Sequence, residues 1–273
     1  MDVAAIILRI CLPLLPTLAA IVVCMPLEKR WPARPGERRD GLQNLKVWAA
    51  SFTVQALVLP ALGGLTTLAV NAAGGGVVVL PAEGWGLVVG IAVYLVAMDL
   101  GEYLFHRAQH AVPWLWAMHS LHHSDTTYDA TTTVRHFWLD PLLKTVTVWL
   151  AVGLLFKAAP VLVAAYTLAS YYNFFAHANV KVGFGGAWWV WNSPQYHRIH
   201  HSASAEHFDR NFASLLPIFD VISGTYWRPR PAEYPQTGLD TGEEPKTFLE
   251  AVGWPLRKLR LGARIFGKAP QAG

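Results

Sequence analysis

Long apolar runs separated by short polar stretches set the plan of this chain. Val3 to Met25, Val47 to Val70 and Trp85 to Phe105 are each long enough to form a helix across the ~30 Å hydrocarbon layer, which needs about 20 residues. Two further runs, Leu142 to Ala159 and Val161 to Phe175, are divided by Pro160 and read as two spans or as a tightly turned helical hairpin. Five membrane segments are therefore expected. The first run opens Met1-Asp2 without a basic region or a small-residue cleavage site, which predicts a retained helix, with Arg9 snorkelling to the near interface. From Arg228 onward the chain is rich in Pro, Gly and charge and reads as a partly ordered tail.

Composition agrees with the pattern. Of 273 residues, 53% are hydrophobic and 15% charged, a balance that points away from a soluble globule. A formal charge of +4 would suggest nucleic acid in a polar protein, but here Lys and Arg flank apolar runs, where they set topology or meet anionic lipid; nucleic acid binding is not expected. Lys29, Arg30, Arg34, Arg38, Arg39 and Lys46 fill the first loop, whereas Asn71 to Gly84 has no Lys or Arg. The third loop has Arg107, Arg135 and Lys144. This alternation predicts a multi-pass protein whose first loop, third loop and tail are cytoplasmic. Cys11 and Cys24 both lie in the first apolar run, where they read as buried side chains. Trp48, Trp85, Trp114, Trp116, Trp188, Trp189 and Trp191 near the expected helix ends fit an interfacial belt.

Against this background eight of eleven histidines fall into three clusters. His106 and His110 stand four apart; His119, His122 and His123, then His197, His200 and His201, repeat an i, i+3, i+4 spacing. Imidazole is a common ligand for iron, zinc and copper, and residues four apart share a helix face. Adjacent histidines diverge by ~100°, and eight exceed what one ion needs, so a pair of ions is expected. The topology puts all three clusters on one side. Unligated, such clusters would be costly to bury and would repel one another when protonated.

The clusters, in this order and between apolar helices, resemble the fatty acid hydroxylase and sterol desaturase superfamily, membrane histidine-box non-haem diiron enzymes. The resemblance also takes in Asp99, Glu102-Tyr103 before His106-Arg107, Leu115-Trp116 before His119, Asn173 to Asn179, Ser193-Pro194, Asp209-Arg210-Asn211 and Asp220 to Tyr226. It covers residues 85–227, which it implies are the catalytic domain, between N-terminal helices with a basic loop at 1–84 and a cytoplasmic tail at 228–273. The fold so implied is all-α, an integral membrane helical bundle with a cytoplasmic histidine-rich cap over a dinuclear site. Two irons would be bound by the eight clustered histidines and by His177, with zinc as a substitute. His136 is a further candidate, although Arg135-His136-Phe137-Trp138 departs from the family's spacing and lacks its proline. His207 matches no ligand position and reads as solvated.

Asp99 and Glu102 precede His106 on its helix stripe, so each is expected to accept a ligand histidine's second N–H. Asn173, four residues before His177, is expected near metal-bound water or in a contact between helices. The implied activity is O2-dependent hydroxylation or desaturation of an unactivated C–H bond in a lipid: fatty acyl, sterol-like or isoprenoid, or ether lipid. No dinucleotide fingerprint, zinc-protease motif, phosphate loop or nucleophile elbow is present, so electrons are expected from a separate ferredoxin- or cytochrome-type protein with its reductase. A bacterial inner membrane suits the compact chain. The rival class is a membrane protein that transports or binds transition metals through its histidines.

Overall fold

A computed structural model describes Leu12 and residues 14–35 and 41–260; Arg9 and Cys11 lie outside the described residues. The chain is mostly helical. Helix α1 (Leu14–Arg30) leads to α2 (Gly41–Ala72), a two-residue strand β1 (Val78–Val79), α3 (Gly84–Ala111) and α4 (Pro113–His123). A 3-10 turn at Ala130–Val134 precedes α5 (Asp140–Lys144), which continues through a π turn at Thr145–Trp149 into α6 (Leu150–Leu155). Strand β2 (Phe156–Lys157) then turns the chain into α7 (Pro160–Ser170) and α8 (Tyr172–Ala176), and α9 (Pro194–His200), α10 (Ile218–Ser223) and α11 (Phe248–Arg260) follow.

Among the described residues, two helices, α2 and α3, are long and apolar enough to cross a membrane. None of the most apolar stretch of α2 is buried in the protein, and Leu57, Leu65 and Leu68 stand open on it, as do Val88 and Val89 on α3. A soluble core helix would hide these side chains; contiguous exposed apolar surface marks contact with lipid or a partner. Of the two forms expected of the fourth and fifth runs, two spans or a hairpin, the structure shows the hairpin. It is broken by the π turn and by the extended residues at Phe156–Lys157, and each arm is a chain of short helices.

That hairpin lies along α3. At one end β1 pairs in parallel with β2, Val78 opposite Phe156. Midway, Met98, Val148, Val152, Leu162 and Tyr166 share a buried cluster. Gly101 makes the approach possible, because a Cβ there would sit 2.8 Å from the Val148 side chain. At the other end Lys144 meets Glu102 at 2.5 Å.

Proline sets the breaks that matter for the site. Val112 is extended (φ −97°, ψ 121°), as a residue before proline prefers, so α3 stops and α4 restarts with Pro113 in its first turn. Likewise Ser193 caps α9 by accepting the Tyr196 N–H, with Pro194 in the first turn. Helix α1 packs on α8, where buried Glu28 accepts the backbone N–H of both Ala130 and Asn179. The described part of the tail is packed: α11 lies on α4, with Trp254 fully buried.

Candidate metal centre

All nine expected histidines meet at the end of the helices remote from β1 and β2, and they sort into two groups. Ring nitrogens of His106, His110, His119, His123 and His200 lie within 4.8 Å of one another, as do those of His122, His177, His197 and His201. The split follows helix geometry. Residues four apart, 106 with 110, 119 with 123 and 197 with 201, stay together, while His122 and His200 point round their helices into the opposite group. The groups adjoin, since the rings of His123 and His201 stack at 4.3 Å.

Within the five-histidine group, Nε2 of His106 is 3.0 Å from Nε2 of His119 and of His200, and Nε2 of His123 is 3.2 Å from that of His110 and of His119. In the other group, Nε2 of His177 is 3.2 Å from His122 and 3.0 Å from His197. Imidazole nitrogens bound at about 2.1 Å and about 90° apart would be separated by about 3.0 Å. The donor set and its spacing thus fit two metal ions.

Tautomers are fixed from behind. The Nδ1 atoms of His106, His200 and His177 face the carbonyl oxygens of Phe212 (2.7 Å), Arg210 (2.8 Å) and Asn173 (2.8 Å). A carbonyl only accepts, so each Nδ1 bears the proton and each Nε2 keeps its lone pair for a metal. The loop supplying two of those carbonyls is held in an unusual conformation: Asp209 and Asn211 adopt left-handed φ of +56° and +58°. Fully buried Asn211 secures it by donating to the carbonyls of Tyr196 and Trp227 and accepting the Trp227 N–H.

Burial also keeps the rings neutral. It pushes His119, His122, His123, His197, His200 and His201 well below the ordinary imidazole value, and neighbouring rings add to the effect. His177 falls to about 3, again chiefly through burial. Neutral rings are the metal-binding form. Buried Nε2 of His201 has no hydrogen-bond partner, a cost that a metal would offset, and the buried Nδ1 atoms of His119, His122 and His197 also lack one, a cost that ordered water would offset.

The base of α4 is braced by a charged network. Arg135 donates to the Leu121 carbonyl, Asn44 and Ser124, and Asp125 accepts from Asn44, Thr127 and Thr132. Burial raises the Asp125 pKa, yet Arg135 and these donors together hold it below the usual carboxylate value. Arg198 is equally structural, donating to the Pro235 carbonyl and to Asn179 and lying over Tyr128.

The remaining expected residues fall elsewhere than their spacing implied. Asp99 accepts the backbone N–H groups of Leu215 and Leu216, and Glu102 accepts from Tyr166 and pairs with Lys144; neither carboxylate takes a histidine N–H. The reason is that the loop after α9 and the hairpin reach α3 before any ligand ring does. The Asn173 side chain donates to the Ser170 carbonyl, and it is the backbone carbonyl that orients His177. His136 stacks on His122 at 4.2 Å, with Nδ1 3.5 Å from buried Asp140. His207 is buried rather than solvated, its Nδ1 2.8 Å from Ser202 Oγ.

A cavity of about 360 Å³ opens onto both groups. Its walls include His106 and His119 from one group, His122, His177 and His197 from the other, and Glu102, Lys144, Trp149 and Tyr166 from α3 and the hairpin. Asp220 has a part in the site that its position in the sequence does not signal, although it opens the Asp220 to Tyr226 stretch. Its carboxylate is fully buried and accepts the N–H groups of Phe212 and Ala213.

Two imidazole clusters able to hold metal ions, at one end of apolar helices and facing a common chamber, have the layout of a membrane metalloenzyme site. Residues 91–225 match the fatty acid hydroxylase family, and the chain belongs to that family. It is 28% identical over 257 residues to ornithine lipid hydroxylase OlsE of Rhizobium tropici, an alignment covering 90% of this chain and 74% of that protein. Human alkylglycerol monooxygenase is 34% identical over 133 residues, 48% of this chain. A very-long-chain aldehyde decarbonylase of Oryza sativa subsp. indica is 27% identical over 154 residues, 51% of this chain. The chain spans only 29% and 23% of the lengths of these last two relatives. No solved structure matches it.

Proposed function

We propose that the protein is a membrane-bound non-haem diiron oxidoreductase that hydroxylates an unactivated C–H bond of a lipid. The observation that carries this reading is the chamber onto which both histidine groups open beside apolar helices. His106, His110, His119, His123 and His200 would hold one iron, and His122, His177, His197 and His201 the other. When bound, the pair supplies dioxygen activation, using electrons from a separate ferredoxin- or cytochrome-type protein; zinc is an inactive substitute.

The chain's own work is placement. Carbonyls of Phe212, Arg210 and Asn173 aim the ring nitrogens, and the packed loops around them exclude bulk water. The chamber receives the lipid, with Trp149 and Tyr166 on one wall and the Glu102–Lys144 pair beside them. Which hydrogen lies nearest the histidine groups then decides the product. Hydroxylation is favoured because one relative, OlsE, is named a lipid hydroxylase and another, alkylglycerol monooxygenase, is named for insertion of one oxygen atom. Desaturation and ether cleavage differ from it only in substrate placement.

Helices α2 and α3 span the bilayer, and the hairpin inserts beside them, with the first basic loop and the histidine end in the cytoplasm of a bacterial inner membrane. Gathering of every ligand at one end argues against a metal path across the membrane. Incubating iron-loaded protein with a reconstituted ferredoxin and reductase, O2 and a panel of ornithine lipids, ether lipids and phospholipids tests the reading. One class should gain one oxygen atom, with the label following 18O2. No oxygenated product with any class, from protein retaining its iron, would overturn it.

A further inference from the structure

Helix α11 divides its surface into three sectors. Positions advance ~100° per residue, which puts Ala251, Trp254, Pro255 and Lys258 on one side, and all four are buried. Trp254 donates its indole N–H to Ser120 on α4 and packs with Leu121 and with Val47 of α2. The next sector holds Phe248, Leu249, Val252, Leu256 and Leu259, all exposed, Leu249 at 78% and Leu256 at 62%. Glu250 and Arg257 form the third, polar edge.

We propose that the apolar sector of α11 lies in the plane of the bilayer interface, seated at the boundary of headgroups and acyl chains on the histidine side. This rests on the reading that α2 and α3 span the bilayer. Three observations select lipid as the occupant. First, the buried sector of α11 packs on the opening turns of α2 at Val47, and α2 is the helix whose later turns carry exposed Leu57, Leu65 and Leu68. Second, a helix with a buried face, an apolar open face and a charged edge is the pattern of an interfacial helix. Third, Lys246 and Arg257, exposed although paired with Glu244 and Glu243, are followed in sequence by Arg260, Arg264 and Lys268, a basic run of the kind that anionic headgroups attract. The seating has a consequence for the metal centre, because Ser120 lies between His119 and His122 on the helix that α11 clamps.

Depth measurements on the full chain test this. Single cysteines at Val252, Leu256, Glu250 and, as a membrane control, Leu65 are introduced with Cys11→Ala and Cys24→Ala, labelled with a small fluorophore, and placed in nanodiscs of phosphatidylcholine with or without phosphatidylglycerol. Brominated acyl chains should quench the labels at Val252, Leu256 and Leu65. Aqueous iodide should quench Glu250 several-fold more than Val252 or Leu256, and phosphatidylglycerol should deepen the Leu256 label. If Leu65 is quenched by lipid while Val252 and Leu256 are as open to iodide as Glu250, the helix faces water and the inference is overturned. It is equally overturned if those two labels escape both quenchers, as a face covered by a second copy would. Failure at Leu65 as well would bring down the spanning reading together with this one.

Discussion

Asp220 offers the sharpest perturbation outside the histidines. Its Oδ2 accepts the Ala213 N–H at 2.9 Å, and the carbonyl of that same peptide unit, Phe212 O, accepts the His106 Nδ1 proton at 2.7 Å. A buried carboxylate therefore acts on a ligand ring through one polarised peptide. Its other oxygen takes the Phe212 N–H at 2.9 Å and the Thr225 hydroxyl at 2.6 Å, and Tyr196 donates its hydroxyl as well. Asp220→Ala leaves the buried Phe212 N–H without a partner and the Ala213 N–H with only the Tyr196 hydroxyl at 3.3 Å, so a local cost of about 1–3 kcal/mol or more is expected. Losing the support behind a metal ligand typically weakens affinity 10–100-fold. The five-histidine group, which contains His106, should suffer more than the group around His177. Iron retained per chain against a graded chelator, measured for wild type, Asp220→Ala and Asp220→Asn, reads this directly. Alanine should lose one iron at lower chelator concentration than the second, with asparagine intermediate. Chelator curves identical to wild type for folded Asp220→Ala would refute the relay.

Other substitutions separate the chamber from the ligands. Lys144→Leu removes the partner of Glu102 without touching a histidine, so turnover should fall about tenfold or more while iron per chain stays unchanged; parallel loss of iron would contradict this. Trp254→Ala empties a fully buried site and breaks the bond to Ser120, costing about 3–5 kcal/mol, which a thermal inactivation series in detergent should show as a lowered midpoint. Acid should destabilise the metal-free protein. The rings of His119, His122, His123, His177, His197, His200 and His201 have folded pKa values below the unfolded 6.5, so the unfolded state binds protons more readily and stability present above pH 6.5 is lost as pH falls toward about 3, the His177 value. Each ring contributes a slope approaching 1.4 kcal/mol per pH unit, and denaturant midpoints that do not move between pH 7 and pH 5 would contradict the assignment.

The histidine spacing alone made much of the site legible, because i, i+4 pairs share a helix face wherever the helix lies. The division of the eight clustered histidines into five and three also follows from that spacing once the helices converge, whereas His177 came from the family resemblance. Partners across the fold were not legible. Asp99 and Glu102 sit two turns and one turn before His106, and nothing local reveals that Leu215, Leu216, Tyr166 and Lys144 arrive there first. The role of Asp220 depends on a return of the chain from α10 to the loop at Arg210, and the carbonyl it polarises carries no side-chain signature. Hydropathy showed the runs at α2 and α3, but equally apolar residues after 140 form a broken hairpin whose π turn has no compositional mark. Charge and proline hid α11, because half of its face is apolar only when read on the helical period.

Metal content per chain tests the central claim most directly. Protein purified without oxygen in the presence of iron should carry about two irons, His119→Ala and His177→Ala should each retain about one, and the double variant should retain almost none. Equal metal in all four proteins, or both ions lost together with either single substitution, would contradict a pair of histidine sites.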